Sequence, residues 1–211
     1  MVRTMSPEDH ARIAAAVQAA EGKTSGEIYC VVARTSASYF FPAAFMVTLG
    51  IVVISLAVAY LLDLWWVELK PFTLIAAQLL TIASALAVLA FFPAVRIHLV
   101  PLRQRYRHAH DNAMKQFLAR NIHMTAARTG VLLFVSLAER YAEVVADAGI
   151  NAKVRQETWD SVVATLTAQA RKGRVADGFT EAIGTVGKLL AEHFPVTAED
   201  VNELDDHVVE I

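Results

Sequence analysis

Four polar residues stand where two short apolar runs end. Arg34 and Thr35 follow Glu27–Ala33, and Ser136 and Glu139 close the run Gly130–Leu137. If the runs are strands of an open α/β sheet, these residues lie at its carboxyl edge, where such sheets hold ligands. Ligand binding is thus the chemistry the position offers. The favoured expectation is plainer: polar strand ends meeting water. His108, His110 and Asp111 form a second string of candidate groups. Residues two apart on a helix do not share a face, and no cysteine or spaced carboxylate completes a coordination set, so these side chains are expected to face solvent or headgroups. Cys30 is the one cysteine; it allows no internal disulfide and suits a buried small hydrophobe. The sequence has no glycine-rich phosphate loop, nucleophile elbow, spaced zinc set or dinucleotide fingerprint.

Several elements must position those residues. Ser6-Pro7-Glu8-Asp9 starts a helix with a capping hydroxyl, a proline at a position that needs no donor, and acids at the positive end of the dipole. Ile13, Val17 and Ala20 follow at helical spacing, and Gly22 ends it. Glu27–Arg34 and Gly130–Leu137 are continuous, β-branched and apolar, as suits strands covered on both faces. Leu102, Tyr106, Ala109, Ala113, Phe117 and Leu118 give an amphipathic helix from Pro101 to about Ile122. Periodicity alone leaves Tyr141–Asp147 open between strand and helix. Asn151 is expected to cap a helix carrying Val154, Trp159, Val162, Val163 and Leu166 and ending at Gly173; another follows from Arg174 to about Phe194. Thr197–Asp200 reads as a capping box on a thin acidic helix, which makes 195–211 a solvated tail.

Between the first strand and the amphipathic helix, Ser36–Leu62 and Pro71–Val95 contain no charged side chain, and each is long enough to cross a bilayer as a helix. The eight residues Asp63–Lys70 can only turn the chain round, with Trp65 and Trp66 at the level where acyl chains meet headgroups. A helix apolar all round must be wrapped by protein or lipid, and the flanking segments are too small to wrap two. Gly50, Ser55, Ala76, Ala83, Ala85 and Ala87 are expected to let the two helices pack closely. Arg34 precedes the hairpin and Arg96, Arg103, Arg105 and Arg107 follow it. The positive-inside rule therefore predicts a two-pass protein of the cytoplasmic (inner) membrane with both termini in the cytoplasm, its arginines near anionic headgroups. Bulk numbers agree: 211 residues, 55% hydrophobic, formal charge −2 and mean hydropathy +0.42. Without aromatic platforms or a groove-reading motif, nucleic acid is not an expected partner.

Thr24–Val32 (TSGEIYCVV), Arg128–Ile150 (RTGVLLFVSLAERYAEVVADAGI) and Gly178–Ile183 (GFTEAI) together resemble the TPM domain. The resemblance implies a small α/β/α sandwich with few strands, built from residues 6–34 and 96–194 and interrupted by the transmembrane hairpin 36–95. It also implies that Tyr141–Asp147 is a strand and that Ile28–Val32 lies beside Val131–Val135. Members of the family are described as acid phosphatases, as divalent-cation binders through acidic loops, or as accessory factors of membrane complexes. Here the loop Thr125–Thr129 carries no acid, and Asp147–Asn151 ends in an amide where the family commonly has an acid. Asp147, Asn151 and Glu157 are the weak metal candidates, for calcium or magnesium, against the six or more oxygen ligands that calcium takes. The expectation is a membrane-anchored, non-enzymatic interaction or accessory module with another membrane protein as partner and no cofactor; the alternative is a cation-dependent phosphatase.

Overall fold

The computed structural model describes residues 5–66, 70–125, 128–196 and 203–211. The chain divides into two compact units, Met1–Ser36 with Tyr106–Ile211, and Ala37–Arg105.

In the first unit, α1 (Pro7–Glu21) is held at its start by a reciprocal capping box, with Ser6 Oγ accepting from the Asp9 N–H and the Asp9 carboxylate from the Ser6 N–H. β1 (Glu27–Ala33) follows. After the second unit and α5 (Leu102–Ala119) come β2 (Gly130–Ser136), β3 (Tyr141–Ala146), α6 (Ala148–Asn151), α7 (Gln156–Arg171), α8 (Val175–His193) and β4 (Val209–Glu210). The sheet order is β3-β2-β1-β4, with β1 parallel to β2 and β4, and β3 antiparallel to β2. Ile28 pairs with Val131 and Val32 with Val135, as the sequence predicts.

Side chains alternate across the strands. Ile28, Cys30, Val32, Val131, Leu133 and Val135 pack with α1, α7 and α8, while Tyr29, Val31, Leu132 and Phe134 pack with Ala113 and Phe117 of α5. Because both faces are covered, every residue of β1 and β2 is buried. The fold is an α/β/α sandwich.

Two expectations about the first unit change. Asn151 does not cap α7; Asp147 caps the short α6 through its bond from the Ala148 N–H, and Asn151 closes that turn by donating to the Ala146 carbonyl at 2.8 Å. Arg155 precedes α7 without a side-chain cap. Residues 203–211 are not a solvated tail, because Val208 enters the main core at 2% exposure and Val209–Glu210 extend the sheet beside β1. A two-residue strand is too short to produce a periodic signal. The capping box at Thr197–Asp200 lies outside the described residues.

In the second unit, α2 (Phe40–Leu64) and α3 (Pro71–Phe91) pack side by side, followed by α4 (Pro93–Arg96). At 1.5 Å per residue they are about 37 and 31 Å long, against a hydrocarbon core of about 30 Å. Their most apolar 18-residue windows have mean hydropathies of 2.6 and 2.3 and are 0% and 6% buried, so each is long and apolar enough to cross a membrane. Ala43 and Leu89 are the buried residues of the pair. Gly50 is not a point of close approach, since a Cβ added there would meet nothing within 4 Å; Ala43, Ala44 and Val47 near the start of α2 cluster with Leu86 and Leu89 near the end of α3.

Candidate functional site

At the carboxyl edge of the parallel strands, Thr35, Ser136 and Glu139 come together, and the expectation that these strand ends meet water fails for Ser136 and Glu139, which bond to one another and are buried. Ser36 and Asn112 join them. Glu139 is 1% exposed and Ser136 0%. Thr35 Oγ1 donates to Glu139 Oε1 at 3.2 Å and the Ser36 N–H donates to the same oxygen at 2.9 Å, while Ser136 Oγ donates to Oε2 in a short bond. With its proton committed to Glu139, Ser136 Oγ accepts from Ser36 Oγ at 2.8 Å, which in turn accepts from Asn112 Nδ2 at 3.4 Å. Directed this way, the chain of donors ends on a buried carboxylate and ties the end of β1 and helix α5 to the β2–β3 turn. Such a knot positions backbone. At 0% exposure Ser136 Oγ has no room for an attacked group beside it.

Arg34 is not part of the knot. Its guanidinium lies 3.9 Å from Glu210 of β4, which also accepts from His10 Nε2 at 2.9 Å and from the Met5 N–H at 3.1 Å. Ser36 and Asn112 escaped sequence reasoning because a hydroxyl just before an apolar helix and an amide on an amphipathic one carry no spacing signal.

Asp147 and Asn151 are bonded to local backbone, and Glu157 is exposed in the first turn of α7. Among the described residues no group of three or more His, Cys, Asp or Glu could hold a metal ion. These donors do not fit a hard cation that takes six or more oxygens. His110 instead sits against Glu143, Nδ1 to Oε1 at 2.8 Å, and Tyr141 Oη donates to Glu143 Oε2 at 3.0 Å. Burial and the adjacent Glu143 carboxylate push the Tyr141 hydroxyl up, which keeps it a neutral donor.

A crevice of about 780 Å³ opens beside the knot, between the start of α1, the end of β2 and the α7–α8 turn. Ser136 is in its wall; Arg34, Thr35 and Glu139 are not. Arg140, Arg171 and Lys172 line it. Apart from Ser136 these lining residues were not singled out in the sequence, although the string Arg171-Lys172-Gly173-Arg174 between two helices was the available signal.

The membrane-interface candidates are also placed. Trp65 and Trp66, at the end of α2, are 78% and 94% exposed. Arg96 donates to the carbonyls of Leu89 at 2.7 Å and Ala90 at 2.9 Å and stacks over the Phe40 ring at 5.3 Å, satisfying open carbonyls at the end of α3. Arg103 and Arg105 follow on α5 within this second unit, and Arg107 falls in the first.

Fold and site together define a small α/β/α sandwich with a structural polar knot at its strand ends. Residues 93–189 match the family model of the TPM domain, so this stretch is similar to that domain. Among solved structures, the NMR structure of BA42 protein from the psychrophilic bacterium Bizionia argentinensis is similar in fold, with a TM-score of 0.60 at 20% identity over 99% of this chain and 97% of that one. No curated protein matches the chain.

Proposed function

We propose that this chain is a membrane-anchored TPM module acting without catalysis, as an interaction or accessory protein on the cytoplasmic face of a bacterial inner membrane. The carrying observation is the internal bonding of the strand-end cluster, where the Glu139 carboxylate is occupied by Thr35, Ser36 and Ser136; away from it, Asp147 Oδ1 and Asn151 are engaged by local backbone, while Asp147 Oδ2 has no partner among the described residues. Polar groups spent on holding loops together favour a scaffold over a reacting centre. The two unburied apolar helices support anchoring, and the arginines following them support a cytoplasmic orientation. The partner expected is another membrane or membrane-associated protein.

Affinity purification of the full chain from mild detergent is expected to return the same membrane protein in near-stoichiometric amount across repeated preparations. Recovery of the chain alone each time overturns the proposal. The same preparation is expected to hydrolyse no phosphomonoester with magnesium, calcium or manganese; turnover replaces the accessory role with a phosphatase.

A further inference from the structure

The crevice beside the knot has a composition that folding does not require. Its volume of about 780 Å³ falls in the range of small-ligand sites, and it lies at the carboxyl end of β2, beside the start of β3, at the edge of the sheet where open α/β folds place ligands. Arg140, Arg171 and Lys172 face it, and among the described residues none of the three has a carboxylate within 4 Å. Asp9, the acid in its wall, is already committed to the Ser6 N–H at 3.3 Å and to Arg12 at 3.4 Å.

The plain explanation covers only part of this. Arg171 and Lys172 end α7, where cations complement the helix dipole. Arg140 ends no helix. It occupies the last position of the β2–β3 turn with φ 55°, donating its N–H to the Leu137 carbonyl at 3.2 Å. That left-handed conformation suits glycine, and a long cationic side chain held there is a strained choice that the turn itself does not need. Val135, Leu137, Val175 and Ala176 give the crevice apolar wall as well.

We propose that this crevice binds a small organic oxyanion of two or more negative charges, carboxylate or phosphoryl, on Arg140, Arg171 and Lys172 without a metal ion. Two guanidiniums and an ammonium supply the forked and point-charge donors that such an anion requires, and the apolar wall takes its carbon body. The site goes beyond the accessory role and does not rest on it.

The test is calorimetric titration of the full chain in a maltoside detergent with EDTA at low salt, using citrate and glycerol 3-phosphate as separate probes. At least one is expected to bind, with affinity falling as sodium chloride rises, and their ratio distinguishes carboxylate from phosphoryl recognition. Arg140→Gly is expected to weaken binding about tenfold while the melting temperature holds or rises, which separates a lost ligand contact from unfolding. Arg171→Gln with Lys172→Gln weakens it at least as much, whereas Arg155→Gln, a cation at the far end of α7, leaves it unchanged. No binding of either probe, or binding that all these variants share, overturns the proposal. Hydrolysis of glycerol 3-phosphate would sink the non-catalytic role and leave the crevice standing.

Discussion

Glu139 is unusual among the residues of this chain because its carboxylate is buried and serves three donors from two other segments. Removing it leaves the Thr35 and Ser136 hydroxyls and the Ser36 N–H without their acceptor inside the fold. Glu139→Ala is therefore expected to cost about 3 kcal/mol or more, measured by chemical denaturation of the folded chain in detergent. Glu21 behaves differently. It caps the Ile28 N–H at 2.8 Å on the β4 side of β1, beyond the reach of the short β4. Burial, helped by the nearby Glu27 and Asp206 carboxylates and opposed by the Ile28 bond, pushes its carboxyl up to about 8 from the ordinary 4.5. A folded-state value above the unfolded one means the fold holds the extra proton. Its stabilising contribution is full below about 4.5 and is lost as pH rises through about 8. Thermal melts from pH 6 to 9 should show the native chain losing stability, and Glu21→Gln, which keeps the acceptor without the charge, should flatten that loss by a few °C. Neither role was visible in sequence. A glutamate before a turn and another in a hairpin look like surface residues until the third dimension buries them.

At the scale of elements, the contact between α1 and α8 is set by one small residue. A Cβ added at Gly187 would stand 2.6 Å from the Ala20 Cβ, so the helices approach as closely as their backbones permit. Gly187→Ala is expected to cost about 1–3 kcal/mol through overpacking, read as a fall in melting temperature. Gly130 is tighter still, because its Cβ would meet the Ile122 carbonyl at 2.2 Å at the point where β2 begins. The strands themselves were legible. Glu27–Ala33 and Gly130–Ser136 are continuous β-branched and aromatic runs, and burial on both faces is the state such runs require. β3 was legible only through the family resemblance, since Ala, Glu and Val alternate there in a pattern that a helix tolerates; pairing with β2 settles it as a strand. β4 was not legible. Its two residues acquire strand geometry from the exposed edge of β1 and the burial of Val208.

At the scale of the whole molecule, a parallel strand pair is assembled from segments separated by two apolar helices, so the contacts that close the sheet are distant in sequence. The orientation proposed for the hairpin has a direct measurement. Cys30 is buried and its thiol is pushed up by desolvation, which leaves the native chain silent to maleimides. In intact cells a membrane-impermeant maleimide is expected to label Val67→Cys, between α2 and α3 in sequence, and to leave Ala164→Cys, at an exposed position of α7, unlabelled until the membrane is opened. The reverse pattern would put the α/β unit on the other side of the membrane.

The chain's own pattern of residues determined the two apolar spans, the helix starts at Ser6 and Pro71, the paired apolar strands and the resemblance to the TPM domain, because hydrophobic run length, capping chemistry and β-branched composition act locally. Only the tertiary structure decided which polar residues meet. It gave Glu139 its bonds from Thr35, Ser36 and Ser136, sent Arg34 to Glu210, and set Arg140, Arg171 and Lys172 around one crevice. Those encounters join positions up to 176 residues apart, as between Arg34 and Glu210, and no local spacing encodes them.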